Sequence, residues 1–184
     1  FTPPGEAVSF AIEPVGTAAA RPARWELVQL ETQAKSAGAV AGDARSLQVA
    51  FPGAGSYTLT LRDERGNILA GTSHWVQGAG IQVAPGSIEI VLDRERHAPG
   101  DVAEALITFP EPVDTALFTL ERDRVERVGL MGRREAWVDA VKLAPNQWRA
   151  RIPVRDDFGP NITFSVAYAK HGDYVFQKIG RAHV

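Results

Sequence analysis

Alternation of apolar and polar residues with a period of two is the feature that most limits what this chain can fold into. In the clearest case Tyr57, Leu59 and Leu61 share one side of an extended chain, and the residues between them are threonines. Because successive side chains of a strand point to opposite faces of a sheet, this pattern predicts a half-buried β-strand. A helix would need apolar residues three and four positions apart.

The same alternation recurs along the chain and predicts an all-β protein. Residues 63–67, Asp-Glu-Arg-Gly-Asn, form a turn sequence that links the first strand to an apolar pair, so we predict a hairpin there. Residues 32–44 are rich in alanine but contain two glycines and no apolar face, so we expect a loop. Further strands are predicted at residues 88–93, 102–109, 115–121, 125–131, 137–143, 148–154 and 161–168.

Two features occur twice and predict two domains. The turn Pro4-Gly5-Glu6 returns as Pro99-Gly100-Asp101, and each turn leads into an alternating strand. The segment 55–59 likewise returns as 160–164. Since the repeat length is about that of one sandwich, we predict two tandem immunoglobulin-like antiparallel β-sandwich domains, residues 1–80 and 81–184. The glycine-rich residues 78–86 are the expected linker.

The alignment of the two turns also predicts what the first domain lacks. It places Phe1 opposite Arg96, so residues 1–80 have no counterpart of the strand at 88–93. We therefore expect the first domain to lack its first strand, to have one strand fewer than the second and to be the less stable of the two. The chain starts at Phe1, within sequence that reads as structured, and we interpret it as an excised fragment of a larger protein.

Composition excludes several classes of partner and chemistry. The formal net charge is −2, so no basic field exists for nucleic acid or an anionic membrane. The chain has no cysteine, which excludes disulfides, thiol catalysis and cysteine-ligated metals. No apolar stretch is long enough to insert into a membrane.

The titratable residues predict no metal site and no catalytic site. Four histidines occur without ligand spacing, and we interpret them as surface residues: His74, His97, His171 and His183. Two adjacent carboxylate pairs, Asp63-Glu64 and Asp156-Asp157, lie in turns beside arginines, so solvated turns are favoured over an acid/base pair. A calcium site from Asp156, Asp157 and Asn161 lacks the regular ligand spacing. No serine-nucleophile or nucleotide-binding motif is present, so no cofactor is predicted.

The tryptophans and the arginine-rich segments could bind a ligand, but their positions in the sequence favour a structural role. Exposed tryptophans on a sandwich can bind sugars, but Trp25 and Trp148 each begin an alternating strand and fit core positions. The other two are Trp75 and Trp137. Arg133-Arg134 and residues 122–127 are interpreted as solvated, charged strand edges that protect against aggregation.

Several segments resemble the macroglobulin domains of bacterial α2-macroglobulins. The resemblance covers most of residues 87–184, where a strand ending in Asp leads to a Pro-Gly-Asp turn and a later strand ends in Glu-Arg-Asp; it rests on residues 87–93, 97–101, 116–123, 152–154 and 160–166. In the first half it rests on fewer residues, 4–6, 55–57 with the following hairpin, and 75–78.

The resemblance implies a scaffold role within a large periplasmic protein that traps proteases. Members of this family use a bait segment and often a Cys-x-Glu-Gln thioester, and neither is found in this cysteine-free chain. The implied partners are other domains of the parent chain, target proteases through the full-length protein and, as an option, companion periplasmic proteins. An inner-membrane anchor through the parent chain is a further option.

Two alternatives to this function remain open from the sequence. One is a tandem immunoglobulin-like module of an adhesin or a carbohydrate-binding surface protein. The other is a free-standing hydrolase, for which the residues offer no nucleophile. A sandwich fold by itself cannot separate the first of these from a scaffold segment, since the fold carries many unrelated functions.

Overall fold

The chain is divided into two compact units. A computed structural model describes residues 1–14, 20–170, 172–178 and 182–183, with only the backbone for residues 178, 182 and 183. The N-terminal unit is Thr2–Ile81, and the C-terminal unit is Gln82–Val184, with which Phe1 is grouped. The division falls within the glycine-rich segment 78–86, and each unit has a hydrophobic core of its own.

The N-terminal unit contains six strands among its described residues, arranged in two sheets. They are β1 (Ala7–Ala11), β2 (Arg24–Gln29), β3 (Lys35–Ala39), β4 (Ser46–Ala50), β5 (Gly55–Arg62) and β6 (Ile68–Val76). One sheet has the order β3-β2-β5-β6, and the other pairs β1 with β4. All pairings between these strands are antiparallel.

The alternation in β5 gives this unit its core. Tyr57 and Leu59 are 1% and 3% exposed, whereas the alternating Thr58 and Thr60 are only partly buried. The predicted hairpin is present, because β5 and β6 pair across the turn at 63–67, where Gly66 has a φ of 86°. Six residues form the buried cluster: Leu27, Val49, Phe51, Tyr57, Leu59 and Val76.

The loop predicted for residues 32–44 is wrong in its central part. Residues Lys35–Ala39 form β3, which pairs with β2 and is an edge strand among the strands that the structure describes. Its side chains are small or polar and mostly exposed, so it has no alternating pattern for the sequence to reveal. Gly38 lies against the indole of Trp25, where an added Cβ would be 2.6 Å from Nε1. Residues 35–39 therefore form a strand because they pair with β2 and because a residue without a Cβ fits against the Trp25 indole.

The C-terminal unit contains nine strands among its described residues. They are β7 (Glu89–Leu92), β8 (Val102–Thr108), β9 (Leu117–Glu121), β10 (Val125–Leu130), β11 (Asp139–Ala144), β12 (Gln147–Pro153), β13 (Asn161–Lys170), β14 (Asp173–Lys178) and β15 (Ala182–His183). One sheet has the order β11-β12-β8-β7, and the other β10-β9-β13-β14, with β15 also paired to β13. This is the strand order of an immunoglobulin-type sandwich, and the predicted all-β, immunoglobulin-like fold class is confirmed.

The two units share a topology that the repeated turns anticipate. β1 pairs with β4 as β8 pairs with β12, and Ala7 opposite Ala50 matches Val102 opposite Pro153. Gly5 and Gly100 both have a positive φ, 80° and 92°, directly before these strands. β2, β3, β5 and β6 correspond in the same way to β9, β10, β13 and β14.

Two sandwich positions of the C-terminal unit have no described counterpart in the N-terminal unit. No described strand pairs with the second edge of β1, where β7 pairs with β8, and none pairs with the second edge of β4, where β11 pairs with β12. Among the described residues the N-terminal unit has six strands and the C-terminal unit nine, so the difference there is larger than the single strand expected. Residues 40–45 connect β3 to β4 without forming the strand that β11 supplies in the C-terminal unit.

Candidate functional surfaces

A network of charged side chains holds the turn between β7 and β8. Asp93 Oδ1 accepts hydrogen bonds from the backbone amide of Glu104 and from Nε2 of His97, both at 3.0 Å. Asp101 Oδ2 accepts one from the amide of Ala98 at 2.9 Å. Arg94 forms an ion pair with each of these carboxylates, at 3.5 and 3.2 Å. The network satisfies turn amides, which is a structural task.

The interpretation of His97 as a surface residue is wrong. Its side chain is 0% exposed, and its Nδ1 has no hydrogen-bond partner among the described residues. A carboxylate can only accept, so Nε2 carries the proton donated to Asp93. This burial could not be predicted from the local pattern, because His97 precedes a turn rather than lying in an alternating strand.

His74 is also more buried than a surface residue. Its ring stacks on Phe51 with centroids 4.7 Å apart, and its Nε2 lies 3.0 Å from Oγ1 of Thr2. Burial lowers the pKa of His74 to about 4, so the ring is neutral at pH 7. His171 lies outside the described residues, and for His183 only the backbone, in β15, is described.

The carboxylate pairs stabilise turns. Asp63 accepts hydrogen bonds from the amides of Arg65 and Asn67 and from the side chain of Asn67, at 2.8 to 2.9 Å. The Asn67 side chain and these amides lower the pKa of Asp63, which keeps it ionised in its solvated turn. Its neighbour Glu64 is exposed. With a lowered pKa, Asp63 is unsuited to act as a general acid at neutral pH.

The residues considered for calcium do not form a site. Asp156 and Asp157 lie in a short 3-10 turn, Asp156–Phe158, and Asp157 pairs with Arg155 at 3.1 Å. Asn161 begins β13, and its buried Oδ1 has no hydrogen-bond partner within the part of the chain that the structure describes. Within the described part of the chain, no three His, Asp or Glu side chains are placed to hold a metal ion.

No tryptophan forms an exposed platform. Trp148 is 5% exposed and donates from Nε1 to the carbonyl of Val113 at 3.0 Å, so its predicted core position is confirmed. Trp25 packs partly buried against the N-terminal core. Trp137 packs edge-on against Phe118, with ring centroids 5.3 Å apart. The buried indole Nε1 of Trp75 has no partner among the described residues.

The arginine segments differ in their surroundings. Glu126 pairs with Arg122 and Arg124 at 3.1 and 3.3 Å, which fits the predicted charged edge. The pair at 133–134 lines an open cleft of about 750 Å³ beside β11 and β12. Arg151, Glu135 and Asp139 also line it, so both charge signs are present. Sequence reasoning did not predict this cleft, which the connection between β10 and β11 creates.

A second group that the sequence did not reveal surrounds Tyr168. Its hydroxyl donates to Glu111 at 2.9 Å, and Lys170 pairs with the other oxygen of Glu111 at 2.7 Å. Burial and the Glu111 carboxylate raise the pKa of Tyr168 to about 12, so this phenol stays protonated and is no nucleophile. In the N-terminal unit the Tyr57 hydroxyl donates to the Gly53 carbonyl at 2.9 Å, as in the tyrosine corner of immunoglobulin-like domains.

None of the described residues forms a helix that could cross a membrane. The surfaces described above consist of sheets, turns and mixed-charge edges, and no described cluster combines a nucleophile, a base and an oxyanion donor. Such surfaces can contact other protein domains.

Comparison with known proteins identifies the family. Residues 1–79 match the family described as bacterial alpha-2-macroglobulin, Ig-like domain 4. An alpha-2-macroglobulin of Ralstonia nicotianae (strain ATCC BAA-1114 / GMI1000) is 50% identical over 189 residues, which cover 98% of this chain and 12% of that protein. The family match falls on the half where the resemblance in sequence rested on fewer residues.

Solved structures of tandem immunoglobulin domains are also similar to this chain. The titin Ig tandem domains A164-A165 match with a TM-score of 0.31 and 13% identity, covering 97% of this chain and 88% of that one. Dpr2 Ig1-Ig2 in complex with DIP-Theta Ig1-Ig3 matches with a TM-score of 0.30 and 10% identity, covering 97% and 59%. From its family match and its identity to the Ralstonia protein, this chain belongs to the bacterial alpha-2-macroglobulin family as an immunoglobulin-like segment.

Proposed function

We propose that this chain is a structural and interaction segment of a periplasmic bacterial alpha-2-macroglobulin-like protease inhibitor. The observation that carries the proposal is the 50% identity to the Ralstonia alpha-2-macroglobulin across 98% of the chain. The chain spans only 12% of the length of that relative. The trapping of proteases is therefore proposed for the parent protein, and for this segment a role in holding the parent's other domains in place.

The surfaces described above support a scaffold role. The two units have separate cores, and their described acidic, histidine and tyrosine clusters satisfy turn amides or neighbouring side chains. The proposed partners are other domains of the parent chain and, through the complete protein, the attacking proteases. We propose no catalytic activity for the segment itself.

The experiment compares the parent protein with core variants of this segment. Phe51→Ala removes a ring that is 1% exposed from the N-terminal core, and Leu30→Ala, at a side chain 50% exposed, is the matched control. Each parent protein is mixed with a protease, whose activity is then measured on a large protein substrate and on a small peptide substrate. If the parent protein traps the protease, the protease should lose activity on the large protein substrate and keep its activity on the small peptide substrate.

The expected result is weaker trapping with Phe51→Ala and unchanged trapping with Leu30→Ala. The isolated segment should inhibit neither substrate. If the parent protein leaves cleavage of the large substrate unchanged, the proposed protease-trapping function is wrong. If the segment alone inhibits, the scaffold assignment is wrong. Cell fractionation of the tagged parent protein tests the periplasmic location.

A further inference from the structure

The open edge of β1 is one of two strand edges in the N-terminal unit that lack the described neighbour found in the C-terminal unit. Within the described residues β1 pairs on one side with β4 and on the other side with no strand. The equivalent strand β8 pairs with both β12 and β7. An unpaired strand edge presents backbone N–H and C=O groups that can bind a further strand.

The register shows which groups of β1 face this edge. The amide of Ile12 donates to the carbonyl of Arg45 at 2.8 Å, next to the pairs Ala11–Ser46 and Phe10–Leu47. Bonding alternates along an antiparallel ladder, so Phe10 and Val8 also direct their backbone groups to β4. The N–H and C=O of Ser9 therefore point to the open edge.

The equivalent residue of the C-terminal unit shows what occupies that position. With Gly5 aligned to Gly100, Ser9 corresponds to Glu104. The Glu104 amide donates to Oδ1 of Asp93 at 3.0 Å, and its carbonyl accepts from the amide of Asp93 at 2.9 Å. Both backbone groups of Glu104 are thus satisfied at the end of β7, and the matching groups of Ser9 have no such partner among the described residues.

The inward-facing side chains of β1 are also less buried than those of β8. The inward-facing Ala103 and Ala105 of β8 are 6% and 0% exposed. The matching Val8 and Phe10 are larger and apolar but only partly buried. A strand added beside β1, with apolar side chains in the places of Ile90 and Leu92, would cover them.

We propose that the open edge of β1 is a strand-acceptor site for a segment of the parent polypeptide outside residues 1–184. The occupant runs antiparallel to β1, carries alternating apolar residues like β7, and ends with a residue that exchanges backbone hydrogen bonds with Ser9. The parent polypeptide is the proposed source of this strand because the chain covers only 12% of its Ralstonia relative. The proposal does not depend on protease trapping.

The test extends the chain with a strand of known pairing behaviour. The sequence of residues 87–95, SIEIVLDRE, is added directly before Phe1, because residue 95 immediately precedes the residue aligned with Phe1. In a matched control, Ser replaces the Ile, Ile and Leu of the added segment. Amide hydrogen exchange at Ser9 and Ala11 is measured by NMR for both extended chains and for the chain without extension.

We expect the apolar extension to slow exchange at Ser9 by about tenfold or more, and the serine control to leave it unchanged. Within the extended chain, Ser9→Pro should abolish this protection, because proline removes the edge-facing N–H without breaking a bond to β4. Ser9→Thr keeps the N–H and should retain the protection. These readouts involve no protease, so they fail or succeed independently of the proposed function.

Two outcomes would overturn the proposal. One is equal exchange at Ser9 with and without the apolar extension. The other is protection that rises with protein concentration together with elution as a dimer, since a second copy rather than the parent chain would then occupy the edge. If Ser9→Pro unfolds the N-terminal unit, the comparison of the apolar and serine extensions still decides between these results.

Discussion

Asp93 and His97 form a hydrogen bond of 3.0 Å in which the histidine side chain is completely buried. The same carboxylate oxygen accepts the amide of Glu104, so one side chain joins the end of β7 to β8. Asp93, at the end of β7, and the turn Pro99-Gly100-Asp101 therefore belong to one network of hydrogen bonds and ion pairs. Because the Glu104 amide donates to the side chain of Asp93 rather than to a backbone carbonyl, the backbone pairing of β7 with β8 ends at this point.

Replacement of Asp93 should destabilise the C-terminal unit. We expect Asp93→Ala to lower its free energy of unfolding by about 1 to 3 kcal/mol, because the buried Nε2 of His97 loses its acceptor. Arg94→Ala is the control, since this side chain is 53% exposed and its ion pairs contribute about 0 to 1 kcal/mol. Urea denaturation measures both. Equal losses would show that the buried hydrogen bond is not the important contact.

Trp148→Ala should cost about 3 to 5 kcal/mol of the same unfolding free energy, the usual penalty for emptying a large core site. The change also leaves the carbonyl of Val113 without the indole donor. Val141→Ala, at a neighbouring strand position that is 41% exposed, is the control and should have a small effect. An unchanged melting temperature for Trp148→Ala would contradict the core position.

Gly38→Ala should destabilise the N-terminal unit by about 1 to 3 kcal/mol, since an added Cβ would lie 2.6 Å from Nε1 of Trp25 and the indole must move. Gly71→Ala in β6 is the control, because its nearest atom would be at an ordinary distance of 3.7 Å. Thermal unfolding followed by NMR signals of N-terminal-unit amides compares them. A Gly38→Ala variant as stable as Gly71→Ala would show that the indole is free to move.

His74 should make the N-terminal unit less stable in acid. Burial lowers its folded-state pKa to about 4, below the roughly 6.5 of an unfolded histidine, so the unfolded chain binds more protons between these values. The stability due to neutral His74 is complete above pH 6.5 and is lost as the pH falls towards 4. His74→Gln should flatten this part of the profile relative to the unchanged chain. Parallel profiles from pH 7 to 4 would contradict the assignment.

Much of the fold could be predicted from the sequence, because alternation records which side of a strand faces the core. Tyr57 and Leu59 show this in β5, and Trp148 in β12. Residues 35–39 form a strand that alternation could not predict. Their small and polar side chains carry no period, and only pairing with β2 makes them a strand. The surroundings of His97 and Tyr168 could not be predicted, since their partners Asp93 and Glu111 acquire their geometry through turns and sheet packing.

The sequence by itself determined the all-β class, the repeated Pro-Gly turns and the absence of cysteine chemistry, since these follow from local period, backbone preference and composition. Only the tertiary structure decided which edges are paired and which polar groups are buried. β1 and β8 follow similar turns, yet among the described strands β8 has a neighbour on each side and β1 on one. The reason is physical: hydrogen-bond pairing and burial depend on the strands that meet in space, and a strand's own residues do not specify its neighbours.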